Sequence, residues 1–184
     1  MKKLTCLLVI TFLLFLTARS QDLGYKTIDV GGEFMDSPKG HTVALHLAYN
    51  LQVHHGFQFR IAYNRSNWKD KGKHDMEEGS GAGFSLGYRY YFLVRPHGFF
   101  LGAKADVWRL KINWQETLFI QTNGTSKIWA LQPAAEMGYM FLINDLFFIS
   151  PTISTGIQTN IQTEGEPVGD GFIPQFGLSA GWKF

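Results

Sequence analysis

Two combinations of residues in this chain have the side chains that catalysis needs. His41 and Ser66 could act as base and nucleophile, and Asp29 and His46 could act as an orienting acid and a base. Spacing decides what they can do. All four lie in stretches where apolar and polar residues alternate, and a strand sends successive side chains to opposite faces. His41 shares the parity of Val43, Leu45 and Leu47, whereas Ser66 shares that of Arg60 and Asn64. The two are therefore expected on opposite faces, and only a bulge would bring them together. Asp29 and His46 both fall on a polar parity. Antiparallel pairing that keeps both inward sets them opposite or near each other, and does the same for Lys104 and Glu136. No nucleophile can be placed beside Asp29 and His46, so a structural pair is the expected role.

Other reactive types are weaker leads. His54, His55 and His97 fall at two short turns without an acidic or cysteine partner at ligand spacing, so no metal and no cofactor is expected. Met76-Glu-Glu-Gly and Thr163-Glu-Gly-Glu-Pro place acids in polar connections that suit divalent cations or bridging to lipopolysaccharide, or that are simply solvated. The sequons at Asn64 and Asn123 carry no weight in a bacterial cell.

The elements that position these residues are strands. Alternation runs over about 25–34, 41–53, 57–67, 80–92, 98–113, 127–142, 146–161 and 172–184, and no segment shows a sustained helical period. The connections after the first, third, fifth and seventh segments are polar and mostly longer: 35–40, 68–79, 114–126 and 162–171. Those at 54–56, 93–97 and 143–145 are tight. An even number of strands with this asymmetry is the pattern of a transmembrane barrel, with short periplasmic turns and longer external loops.

The two faces of the strands differ sharply. One carries Ile28, Val30 and Phe34, then Val43 through Leu51, Phe57 through Tyr63, Phe84 through Phe92, and comparable sets in the later strands. The other carries Asp29, Glu33, His46, Arg60, Arg89, Lys104, Asp106, Glu136 and Lys183 among Gly, Ala, Ser and Thr. Its four acids and four Lys or Arg residues balance, as an enclosed polar interior requires, because a buried charge must be paired. So many Phe and Tyr rings would overfill the inside of a soluble eight-stranded barrel, and they are expected to face lipid. The fold expected is all-β: an eight-stranded antiparallel up-and-down transmembrane β-barrel with a polar, side-chain-filled interior.

The first 20 residues read differently. Met1-Lys-Lys, an apolar run from Leu4 to Leu16, and Thr17-Ala-Arg-Ser-Gln21 make a secretory signal peptide with cleavage expected after Ser20. That leaves 21–184 as one barrel domain. The sole cysteine, Cys6, goes with the leader, as do Lys2, Lys3 and Arg19, so 14 of the 17 basic residues remain against 15 acidic ones. A near-neutral chain of this kind gives no reason to expect nucleic-acid binding.

The final segment, Phe172-Ile-Pro-Gln-Phe-Gly-Leu-Ser-Ala-Gly-Trp-Lys-Phe184, alternates without a slip and ends on an aromatic. It resembles the last strand of bacterial outer-membrane barrels. With its eight strands and loop asymmetry, the whole chain from residue 21 resembles the small barrel families of the OmpA-barrel and OmpX type. The resemblance implies that Phe172, Phe176, Leu178, Trp182 and Phe184 are read by the barrel-assembly machinery. It also implies an outer-membrane location in a diderm bacterium, contact with outer-membrane lipid and lipopolysaccharide, and a monomeric or weakly associating barrel. Since this fold hosts several tasks, it does not choose one. A non-enzymatic barrel acting through its external loops is expected, with a narrow diffusion channel or a lipid-modifying hydrolase as alternatives.

Overall fold

The computed structural model describes residues 26–184 apart from 52–53, 70–73, 94, 117–121 and 170. The leader expected over 1–20 lies outside the described residues. Eight strands follow in order: β1 (Lys26–Ser37), β2 (Gly40–Leu51), β3 (His55–Lys69), β4 (Met76–Tyr91), β5 (Gly98–Glu116), β6 (Thr122–Ile143), β7 (Phe147–Glu164) and β8 (Gly171–Lys183). Each pairs antiparallel with the next, and β8 returns to β1 to close the barrel. Closure is tight at the chain end, where Ile28 and Phe184 exchange backbone hydrogen bonds of 2.9 and 2.8 Å.

Strand pairing runs farther than the alternation suggests at the rim carrying the outer connections. β3 and β4 pair out to Lys69 and Met76, and β5 and β6 out to Glu116 and Thr122. The outer connections are consequently shorter than expected, with β1 and β2 joined only through Pro38 and Lys39. Much of the polar sequence expected to form loops is ladder, because backbone pairing continues into water after the apolar face has ended. At the opposite rim Asn144 and Asp145, at φ 53° and 58°, are the central residues of the β-turn between β6 and β7 that Leu146 N closes by donating to the Ile143 carbonyl at 3.2 Å. Both angles fit the turn whose twist matches antiparallel strands.

The barrel is inside-out relative to a soluble one. Leu45, Ile61, Leu86, Phe176, Trp182 and Phe184 all point outward, Leu45 with 74 % of its surface exposed, while the charged positions of the alternate parity are buried. Such an exposed apolar belt around a closed sheet is a surface for lipid.

Inside, large residues face small ones. β4 turns Gly79, Gly81, Gly83 and Gly87 inward, and a side chain at Gly83 would run into the ring of Trp108 on β5. At the seam Gly31 of β1 lies opposite Gly181 of β8. A Cβ at Gly181 would collide with the Val30 carbonyl and Gly31 Cα. We expect Gly181→Val to block closure, abolishing the compact, heat-modifiable band that the unaltered protein gives on unboiled gels.

Candidate functional site

The barrel interior holds the only dense set of chemistry-bearing groups among the described residues, and its contacts follow from register. β1 and β8 are opposed at Asp29 and Lys183, whose Nζ donates to Asp29 Oδ1 at 2.6 Å. Asn50 donates to the other carboxylate oxygen of Asp29 at 2.9 Å. Farther along, Arg60 of β3 donates to Glu33 of β1 at 2.9 Å and to Ser85 at 3.1 Å, and lies 3.7 Å from Asp106 of β5. Lys104 reaches Asp106 at 3.7 Å and donates to Gln175 of β8 at 3.1 Å. Arg89 of β4 grips Glu136 of β6 through Nε at 2.7 Å and Nη2 at 3.5 Å. With its amide oxygen turned toward this guanidinium, Gln58 accepts from Nη1 at 2.9 Å. All four carboxylates thus meet a cation.

Two pairings differ from those read in the sequence. Asp29 lies opposite Ala48, and His46 opposite Gly31, so Asp29 takes Lys183 instead. The His46 ring packs against Phe148, 5.5 Å between centroids. Glu136 lies opposite Gly102 and takes Arg89, while Lys104 lies opposite Ala134 and turns to Asp106. Each expected pair sits a diagonal step apart, near but without a contact. Asp29 takes the directly opposed Lys183 at the seam, and Glu136 takes Arg89, whose side chain is long enough to reach over β5.

The interior is also less uniformly polar than its alternation implies. Tyr91, Phe100, Met140 and Phe148 form a buried apolar layer at the rim of the short turns, with the Arg89 guanidinium 4.3 Å above the Phe100 ring centroid. At the other rim Trp108, Leu110, Ile112, Ile128 and Ala130 pack around Val168 of the β7–β8 connection. That connection turns inward: Gly169 N donates to Glu77 at 3.1 Å, Asn160 donates to the Val168 carbonyl at 3.0 Å, and Ser126 donates to the Glu166 carbonyl at 2.7 Å. A register shift at Trp129–Ala130 bends the end of β7 ahead of it. Sequence reasoning missed both layers because β5 and β6 are apolar on both faces at the short-turn end, while at the other end the pattern inverts, with Trp108, Leu110 and Ile112 inward and Arg109 and Lys111 outward. Beside the layer at the longer-loop rim, a void lined by Ser37, Asn64, Ser66, Trp108, Leu110 and Gln175 measures about 20 Å³, room for roughly one water.

The other sequence leads separate. His41 points outward and sits 2.8 Å from Asp36, whereas Ser66 points inward and donates to Asn64 at 2.6 Å. His54 and His55 bond the Tyr91 carbonyl and the Tyr88 hydroxyl, each at 2.7 Å. Among the described residues no group of three or more His, Cys, Asp or Glu is placed to hold a metal ion. Phe172, Phe176, Leu178, Trp182 and Phe184 all face outward along β8.

The buried pairs set a stability test. Arg89→Ala strands Glu136 without its cation and should cost about 3–5 kcal/mol, whereas Arg89→Met with Glu136→Leu should recover most of that loss. Urea unfolding in detergent micelles reads both. His46→Phe, which keeps the contact with Phe148, should change stability by less than about 1.5 kcal/mol, while Lys183→Met, which orphans Asp29, should cost clearly more.

No protein-family model and no curated protein matches this chain. Solved structures do. The N-terminal β-barrel domain of OprF from Pseudomonas aeruginosa aligns at TM-score 0.50 and 12% identity, over 88% of this chain and 100% of that one. Ail, the attachment invasion locus protein of Yersinia pestis, aligns at TM-score 0.51 and 12% identity, over 89% and 100%. The chain has the fold of the small eight-stranded outer-membrane β-barrels.

Proposed function

We propose that this protein is a closed, non-enzymatic outer-membrane barrel, inserted as a monomer, whose contribution lies in contacts made at its outer surface. The observation that carries this reading is the triple occlusion of the lumen. An apolar layer at each rim brackets a charge-paired middle, with Arg60, Arg89, Lys104 and Lys183 each engaged by a carboxylate. An open channel needs a water-filled path, and a hydrolase needs a nucleophile beside its base. Ser66 and His41 instead face opposite sides of the wall. The exposed row Phe172, Phe176, Leu178, Trp182 and Phe184 supports its recognition by the barrel-assembly machinery during insertion, with the leader at 1–20 as the export signal.

Planar-bilayer recording separates this reading from the channel. The protein is expected to give no stable conductance steps, and Glu33→Ala with Arg60→Ala, which empties the middle of the lumen, is expected to stay closed because both apolar layers remain. Regular ohmic steps from the unaltered protein would overturn the closed reading. Release of fatty acid from labelled lipid A, lost in His41→Ala, would replace it with the hydrolase.

A further inference from the structure

The outer wall carries cations that the interior network does not use. Register places Arg65 of β3, Ser80 of β4, Lys111 of β5 and Lys127 of β6 side by side on one row, all pointing away from the lumen. Arg109 projects one step below on β5, with its guanidinium 5.8 Å from the ring centroid of Trp129, its cross-strand neighbour. None of these four cations takes part in a salt bridge among the described residues. The acids nearby are Glu78, which accepts from Asn67, and Glu164, opposite Lys127 at the edge of the row. The matching outward positions on β2, β1 and β8 are His41, Asp36 and Phe176.

Like charges directly across an antiparallel pair destabilise it. Lys111 and Lys127 are such a pair, and Arg109 and Arg65 add to the repulsion, so the row calls for a bound anion. Its depth says which kind. It lies one outward position beyond Tyr63 and Trp129, and interfacial aromatics of this kind sit at the headgroup level. Three strand spacings from Arg65 to Lys127 span about 14 Å, wide enough for more than one phosphate.

A second feature lies on the same strands. Pro133 cannot donate to a ladder, and pairing between β6 and β7 is interrupted from Leu131 to Ala134. A shallow groove of about 450 Å³ opens there, lined on its outer side by Ala103, Pro133, Ala135, Thr155, Ile157 and Phe172. It lies about 20 Å along β6 from Lys127, which is within reach of a fatty-acyl chain descending from the row.

We propose that the outer face of β3–β7 binds one bisphosphorylated glycolipid of the outer leaflet, its phosphates on Arg65, Arg109, Lys111 and Lys127 and one acyl chain in the groove beside Pro133. This inference rests on the outer-membrane reading above. Folded protein in phosphatidylcholine nanodiscs, verified by heat-modifiable mobility, is titrated with bisphosphorylated lipid A, its fully dephosphorylated form, phosphatidylglycerol and sucrose octasulfate. Stoichiometry is read by native mass spectrometry. One bisphosphorylated lipid A per barrel is expected. Dephosphorylation, or Lys111→Gln with Lys127→Gln, should weaken it by at least about tenfold, and Ala135→Trp should weaken it without changing the preference for phosphate. Equal binding by the lysine double variant, or no binding at all by a folded barrel, overturns the proposal. Equal retention of phosphatidylglycerol overturns the glycolipid assignment, and tight binding of the octasulfate with the same lysine dependence shifts the surface to a soluble polyanion. Failure of the chain to fold in bilayers would instead strike the outer-membrane reading.

Discussion

In hydrocarbon no water is present to satisfy a backbone N–H or C=O, so a spanning sheet must have no free edge. The structure hangs on the seam that meets this requirement. β1 and β8, the first and last strands in sequence, pair from Asp29–Lys183 to Asp36–Phe176, and Ile28 and Phe184 complete the ladder. The seam also joins the strands of longest sequence separation, so its closure carries the largest loop-entropy cost and needs specific contacts to offset it. Lys183 and Asp29 supply one from inside. Gly31 and Gly181 supply the other by leaving the two backbones nothing to clash against.

Once the outer face is committed to lipid, the inner face must be polar or small, and its charges must balance locally. Burying an ion without a partner costs several kcal/mol, and a paired ion recovers that only with good geometry. The longer contacts meet this condition by reaching over one strand: Arg60 of β3 bonds Glu33 of β1, and Arg89 of β4 bonds Glu136 of β6. These bridges link strands that are not neighbours in the sheet. They tie next-nearest strands together as well as filling the lumen, and they leave little space for solute. The outer wall shows the opposite arrangement, with Arg65, Arg109, Lys111 and Lys127 in no salt bridge among the described residues.

Much of this was legible in the alternation. Period-two patterning fixes which residues share a face, and every member of the lumen set from Asp29 to Glu136 falls on the buried parity because a one-residue slip would expose all of them to lipid. Partners were less legible. The sequence pattern constrains cross-strand neighbours, whereas Arg89 and Glu136 are joined through space by a lumen whose diameter is not written in any one hairpin. Strand ends were also blurred, since β5 and β6 continue as ladder through polar residues after the lipid-facing pattern stops. Val168 was invisible in a loop whose residues gave no period, and its burial depends on the bend in β7 and on the cavity that Trp108 and Ile128 leave.

The account stands on the assignment of faces, and tryptophan tests it most directly. Single-tryptophan variants retaining Trp129, Trp182 or Trp108 can be reconstituted in bilayers whose acyl chains are brominated. Trp129 and Trp182, exposed on the outer wall, should be strongly quenched, and Trp108, 3 % exposed within the lumen, should be spared. Quenching of Trp108 with protection of Trp129 and Trp182 would contradict the inside-out barrel at its root.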